Sequence, residues 1–348
     1  MPLVALVAIF AAAAAAVWIA GVKLSTTTDV LSSRLGLGQA LGGVILLAVA
    51  TNLPEIAIVV SAALSGSYEL AIGNILGGIA IQTAVLVVLD AFGVRKGPPL
   101  TYRAASLTLV LEGALVIAVL VVAIMGSQLP GNDVVAHLSP GSTLILVLWI
   151  AGVYLVGKSD DLPWQAQGNA PDGQAEPKGH SSDKRATAQE TSTARTAMVF
   201  GGAALVTLAA GVVLERSGSA IADDVGLSGV LFGATVLAAA TALPEVSSGL
   251  ASVRLGDDQL AVSDIFGGNA FLPVLFFVAT AISGVAVLPK AQDADVYMAG
   301  LGILLTSVYL FGLVFRPRRR VLGMGIDSLV VLALYALGIV GLVVVAGK

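Results

Sequence analysis

Long apolar runs alternate with short polar breaks along the whole chain. The runs cover 2–21, 37–64, 69–93, 104–126, 141–157, 196–215, 227–253, 259–284, 297–315 and 322–346. Each is close to the ~20 residues that an α-helix needs to cross about 30 Å of hydrocarbon. The short, strictly alternating segments of a membrane barrel are absent, and an open sheet cannot cross lipid with unpaired backbone groups. The pattern therefore predicts an all-α integral membrane protein with ten transmembrane helices. The first run lacks the basic leader of a secretion signal and counts as a span.

Composition agrees. Apolar types are 57% of the 348 residues and there are 40 glycines, whereas charged residues are only 11%. A soluble exterior uses about 25% charged residues, so this chain has too few to face water all round. A net charge of −4 gives no reason to expect nucleic acid. The absence of cysteine excludes disulfides, thiolate chemistry and soft-metal sites built on sulfur.

Charge placement predicts orientation. Residues 158–195 hold 11 of the 40 charges and three prolines, which reads as a solvated loop between two halves, 1–157 and 196–348. With the N-terminus outside, 15 Lys and Arg fall in the cytoplasmic connections and three on the other side. Basic residues accumulate on the cytoplasmic side, so both termini are expected outside and the 158–195 loop in the cytoplasm. The compact size suggests the plasma membrane of a cell rather than an organelle.

The halves are related. Residues 36–78 and 226–268 align without a gap at an offset of 190, with 17 of 43 positions identical. The identities include Thr51/Thr241, Pro54/Pro244, Glu55/Glu245 and the Gly-Gly pairs at 77–78 and 267–268. Five spans lie in each unit, and an odd number inserts the second copy upside down relative to the first. An inverted five-plus-five repeat places a binding site near the bilayer midplane where the copies meet.

Each copy puts a glutamate directly after a proline inside a span, in ATNLPE and ATALPE. A mid-membrane carboxylate costs on the order of 2.5–3.5 kcal/mol on insertion scales, so two at equivalent positions need a reason. Proline removes a backbone donor and displaces the carbonyl four residues earlier, which points to the oxygens of Ala50 and Ala240 as freed ligands. Thr51 and Thr241 stand one turn before their glutamates, on the same helical face. All of these groups are hard oxygens, suited to Ca²⁺, Mg²⁺, Mn²⁺ or alkali ions. Two carboxylates balance one divalent ion, two monovalent ions or two protons, the stoichiometric basis for exchanging one for another. In the glycine-rich openings GNILGG and SDIFGG, Asn74 matches Asp264, a polar pair able to support the ion site. Asp90, Glu112 and Asp327 are expected at span ends or in helix packing.

The two T-x-L-P-E units, each followed by a glycine-rich helix, resemble the repeats of the cation/calcium exchanger superfamily. The resemblance implies alternating-access antiport of Ca²⁺ or a similar hard cation against Na⁺ or H⁺, with Glu55 and Glu245 as central ligands. It implies no permanently bound cofactor, and as partners only the transported cations and the lipid. The chain departs from the family pattern: Asn52 and Ala242 replace a serine, Gly78 and Gly268 replace another, and Gln82 and Leu272 stand at the last polar positions of the second helices. Asn52 and Gln82 thereby join the candidate ligands. Alternatives of other kinds are a proton-coupled exchanger for other cations, an intramembrane hydrolase and a cation channel. The spans show no nucleophile or histidine set for the hydrolase.

Overall fold

A computed structural model describes residues 1–34, 49–94, 97–131, 134–135, 137–159 and 192–347. The start of the expected second span and most of the 158–195 loop lie outside the described residues. The helices are α1 (Leu3–Arg34), α2 (Leu53–Ser65), α3 (Tyr68–Gly93), α4 (Leu100–Ala104), α5 (Leu107–Ser127), α6 (Pro140–Val156) and α7 (Thr193–Val225). They continue as α8 (Gly229–Thr241), α9 (Leu243–Leu255), α10 (Asp258–Ser283), α11 (Asp293–Phe315) and α12 (Ile326–Ala346). A two-residue hairpin, β1 (Arg320–Val321) with β2 (Met324–Gly325), joins the last two.

Among the described residues, seven helices are long and apolar enough to cross a membrane: α1, α3, α5, α7, α10, α11 and α12. Helices α8 and α9 pass as an eighth crossing, bent by 40°, while α2 and α6 are shorter apolar helices.

Three boundaries differ from the apolar pattern. Helix α1 runs to Arg34 instead of stopping near residue 21. There Thr26 and Thr27 donate their hydroxyls to the carbonyls of Val22 and Lys23 at 3.1 and 2.7 Å, so polar residues stay helical by bonding back to their own helix. Helix α7 likewise continues past 215 to Val225, with Ser217 bonded to the Val213 carbonyl at 2.6 Å. The 227–253 run is divided at Ala242, ahead of Pro244.

Element starts recur at the sequence offset. Helices α1, α2 and α3 begin at 3, 53 and 68, and α7, α9 and α10 at 193, 243 and 258. Gly66 (φ 82°) ends α2 and Gly256 (φ 87°) ends α9, a left-handed conformation that glycine adopts without strain. Helices α3 and α10 are the most enclosed, with 72% and 67% of their apolar stretches buried, against 22% for α1 and α7 and 17% for α12. The outer three carry the exposed Val4, Ile19, Leu205, Leu337 and Val343, a surface suited to lipid.

Small residues let the central helices touch. A Cβ on Gly77 would lie 2.3 Å from the Ala234 Cα, and one on Gly233 would lie 2.6 Å from the Leu70 carbonyl oxygen, so α3 and α8 cross backbone to backbone. The equivalent glycines Gly21 and Gly211 press α1 onto Pro244 and α7 onto Pro54. Both proline breaks are thus backed by a long helix from the other copy.

One end of the bundle is tied by polar contacts. Asp90 accepts from the Leu100 amide at 2.9 Å, the Gly325 amide at 2.6 Å and Ser328 at 2.8 Å. Thr101 donates to Asp327. Arg316 and Arg318 cover the Tyr102 ring at 4.7 and 5.2 Å, and Arg103 pairs with Asp258 at 2.8 Å. Asp90 and Asp327 therefore do the structural work expected of span-end acids.

Candidate functional site

Both proline breaks lie inside the bundle. Helical geometry lapses at Asn52 (φ −88°, ψ 14°) and Ala242 (φ −78°, ψ 0°), and new helices start with Pro54 and Pro244 in their first turns. Ala50 and Ala240 sit buried in the turns before the breaks. Thr51 and Thr241 follow them, and Glu55 and Glu245 lie in the first turns beyond, each glutamate 1% exposed.

Side chains from the two copies meet here. Glu55 and Asp264 are the acidic neighbours of Glu245, and Thr241 of the second copy lies beside Glu55 of the first. Thr51 donates to Asp264 Oδ1 at 3.4 Å, and Gln82 donates Nε2 to Glu245 Oε1 at 3.5 Å. Asn52 packs against α10, where a Cβ on Gly268 would lie 2.8 Å from its Nδ2. Although Thr241 approaches Glu55, no donor makes a hydrogen bond of 3.5 Å or less to either Glu55 oxygen or to Oε2 of Glu245, and all three are enclosed. Oxygens kept from water without a donor are costly.

Asn74 is also fully buried, but neither end of its amide is hydrogen-bonded, so it is not tied to the acids as Asp264 is. Among the described residues no three Asp, Glu or His side chains converge into a preformed metal cage.

Two polar residues escaped the sequence comparison. Ser248 donates to Asp264 Oδ2 at 3.0 Å, and Asn269 donates Nδ2 to Thr83 Oγ1 at 3.0 Å and to the Ile79 carbonyl at 3.4 Å. Their equivalents at the 190 offset are Ile58 and Ile79, so a search for matched polar pairs passes over them. An asparagine inside an apolar run was the available signal for Asn269. It touches its own equivalent, Ile79, which places the two copies face to face at that point.

The profile of the family described as "Sodium/calcium exchanger protein" matches residues 5–157 and 195–344. The protein named "Putative antiporter CaxA" of Alkalimonas amylolytica is 28% identical over 286 residues, 80% of this chain and 82% of that one. The inner membrane protein YrbG of Escherichia coli (strain K12) is 24% identical over 312 residues, covering 88% of this chain and 87% of its own. Among solved structures, the H⁺/Ca²⁺ exchanger CAX superposes with a TM-score of 0.68 at 13% identity, covering 97% of this chain and 82% of that one. The sodium-calcium exchanger NCX_Mj superposes at 0.59 and 17%, covering 97% and 99%. These superpositions show a shared fold.

Proposed function

The chain belongs to the sodium/calcium exchanger protein family, whose members are transporters and not enzymes, and from that premise we propose that it carries Ca²⁺ or a similar hard cation against Na⁺ or H⁺ through one central site. The observation that carries the proposal is the meeting of Glu55 and Glu245, two enclosed acids from different copies with three oxygens free of hydrogen bonds. The cation is the missing partner of those oxygens. Thr51, Thr241, Asn52, Gln82 and Asp264 supply further oxygens, as do the carbonyls of Ala50 and Ala240 beside the breaks, while Asn74 stands by as an uncommitted amide.

The bonds from Thr51 to Asp264 and from Gln82 to Glu245, at 3.4 and 3.5 Å, are long and therefore weak. They are readily given up to an arriving ion. With few carboxylates converging, the ion takes much of its shell from hydroxyl, amide and carbonyl oxygens. A site that binds adequately but not too tightly is what turnover requires, since cargo must leave as well as enter.

In this reading the two short helices and the bent pair complete ten spans. Residues 1–157 and 196–348 form inverted halves, both termini face outside, and 158–195 lies in the cytoplasm of a cell whose plasma membrane holds the protein. Contact between the equivalent positions 79 and 269 supports a two-fold axis passing there. The basic cluster of Arg103, Arg316, Arg318 and Arg320 at one end supports that end as cytoplasmic.

The test is ⁴⁵Ca²⁺ uptake into proteoliposomes, driven in separate runs by a Na⁺ gradient and by a pH gradient. Glu55→Gln and Glu245→Gln keep side-chain volume and remove one charge each. Both are expected to lower driven uptake by about 100-fold or more while thermal unfolding in detergent stays near wild type. Retained uptake in both variants overturns the proposal. Uptake that ignores any opposing gradient makes the protein a channel.

A further inference from the structure

Glu112 is a buried acid that the central site does not use. Glu112, on α5, is 5% exposed and accepts from Ser263 of α10 at 2.8 Å through Oε1. Its other oxygen, Oε2, is enclosed without a hydrogen-bond partner. Ser263 directly precedes Asp264, which Ser248 and Thr51 connect to the glutamate site. Glu112 and Ser263 each stand five residues beyond the start of their helix, about 7.5 Å along it at 1.5 Å per residue. At the mouth of α10, Asp258 is held by Arg103 at 2.8 Å through Oδ2, leaving a buried, unbonded Oδ1. From this end inward the order is Asp258, then Glu112 with Ser263, then Asp264 and Glu245.

The other entrance is built differently. At the 190 offset Asp258, Ser263 and Asp264 become Tyr68, Gly73 and Asn74, and the stretch facing Glu112 in the repeat, Met298 to Gly302, has no polar side chain. Tyr68 is covered by the Lys290 ammonium at 5.0 Å. The acids at that end have other surroundings: Glu69 is exposed, Asp295 caps α11 by accepting from the Gln292 backbone amide at 2.8 Å, and Glu215 of α7 accepts from Ser61 of α2 at 2.9 Å. Of these, Asp295 keeps an enclosed oxygen without a hydrogen bond, but at the cap of α11 and with no serine bonded to it among the described residues. The sequence repeat is matched at the centre and unmatched one step out.

We infer that Glu112 and Ser263 form a second cation site on the cytoplasmic side of the centre, a waiting position through which Ca²⁺ passes to and from Asp264 and Glu245. It needs no preformed cage. One carboxylate oxygen and one hydroxyl replace part of the hydration shell, and water keeps the remainder. The inference rests on the cation-exchange reading of the central site, and it makes the two faces of the transporter chemically unequal.

The experiment uses inside-out and right-side-out membrane vesicles from cells expressing the full chain, with ⁴⁵Ca²⁺ as probe. Glu112→Gln is expected to raise the half-saturating Ca²⁺ at the cytoplasmic face about 5–10-fold, with less than about 2-fold change at the outer face. Ser263→Ala should move the cytoplasmic value in the same direction by about 2-fold, and it serves alone should Glu112→Gln fail to fold. An equal shift at both faces, or none at either, overturns the inference while leaving the central site standing. A wild-type chain with no gradient-driven ⁴⁵Ca²⁺ flux removes the central reading, and this inference with it.

Discussion

The two copies of the repeat use one backbone to carry different chemistry. Helices α2 and α9 share the break, the proline, the glutamate and the left-handed glycine cap, with Gly66 at φ 82° and Gly256 at φ 87°. Beyond these the polar positions rarely coincide. The first copy offers Asn52, Asn74 and Gln82, all amides, where the second has Ala242, Asp264 and Leu272. The second offers Ser248 and Asn269 where the first has Ile58 and Ile79. Symmetry is kept where the chain must bend and hold an acid. It is given up where a donor from one copy reaches across to the other, as Gln82 does to Glu245 and Asn269 to Thr83.

Equalising the copies is the strongest way to break that comparison. Asp264→Asn gives α10 the amide that α3 carries at Asn74 and removes one charge beside Glu245. Charge count is a principal control on Ca²⁺ affinity, and the half-saturating Ca²⁺ is expected to rise about 100-fold, about 2.8 kcal/mol. Titration of ⁴⁵Ca²⁺ uptake measures it. Asn74→Asp in the same background tests whether the missing acid works equally well from the other copy. Full rescue would show that the asymmetry between α3 and α10 has no functional weight, whereas partial or no rescue places the weight on the contacts Asp264 makes with Ser248 and Thr51.

A second way is to attack what the copies hold in common. A Cβ on Gly21 would lie 2.5 Å from the Pro244 Cβ, and one on Gly211 would lie 2.7 Å from the Ala57 Cβ and 2.8 Å from the Pro54 carbonyl oxygen. Gly21→Val and Gly211→Val overpack the crossings, and each is expected to destabilise the fold by about 1–3 kcal/mol. The losses should be similar for the two sites, read as lowered unfolding temperature in detergent. A large difference between them would mean that the long helices α1 and α7 support the two breaks unequally.

These contacts also mark how far the sequence could be read. Apolar runs located the seven long helices able to cross a membrane, because hydrocarbon thickness sets their length, and the proline-glutamate pairs marked two helix breaks whose acids are buried. Helix ends beyond the hydrocarbon were not legible in hydropathy. Residues 22–34 of α1 and 216–225 of α7 are polar, yet they stay helical through side-chain bonds such as Thr27 to Lys23 and the cap at Gly226. Ser248 and Asn269 were invisible to the repeat comparison because their equivalents are isoleucines. Glu112 read as a packing acid for the same reason, since only the fold brings α5 against Ser263. Pairwise matching finds what two copies share, and the unshared groups become visible only once the helices are set side by side.

The finest cut separates Ser248 from Asp264 without altering charge. The single Ser248 hydroxyl proton lies between Asp264 Oδ2 at 3.0 Å and the Glu245 carbonyl at 3.3 Å, the shorter contact being to the acid, so Ser248 links the acid of α10 to the helix that carries Glu245. Ser248→Ala removes a hydroxyl from a small buried site and leaves the volume almost unchanged. One net hydrogen bond contributes about 0.5–1.5 kcal/mol, which corresponds to about a 2–10-fold rise in half-saturating Ca²⁺ if the bond orients Asp264 toward the ion. The mirror change, Ile58→Ser, installs the hydroxyl opposite Asn74 in the first copy, where no acid waits for it, and should leave affinity within about 2-fold of wild type. If instead Ile58→Ser strengthened Ca²⁺ binding as much as Ser248→Ala weakened it, the two copies would be interchangeable at this level, and their difference would lie in sequence alone.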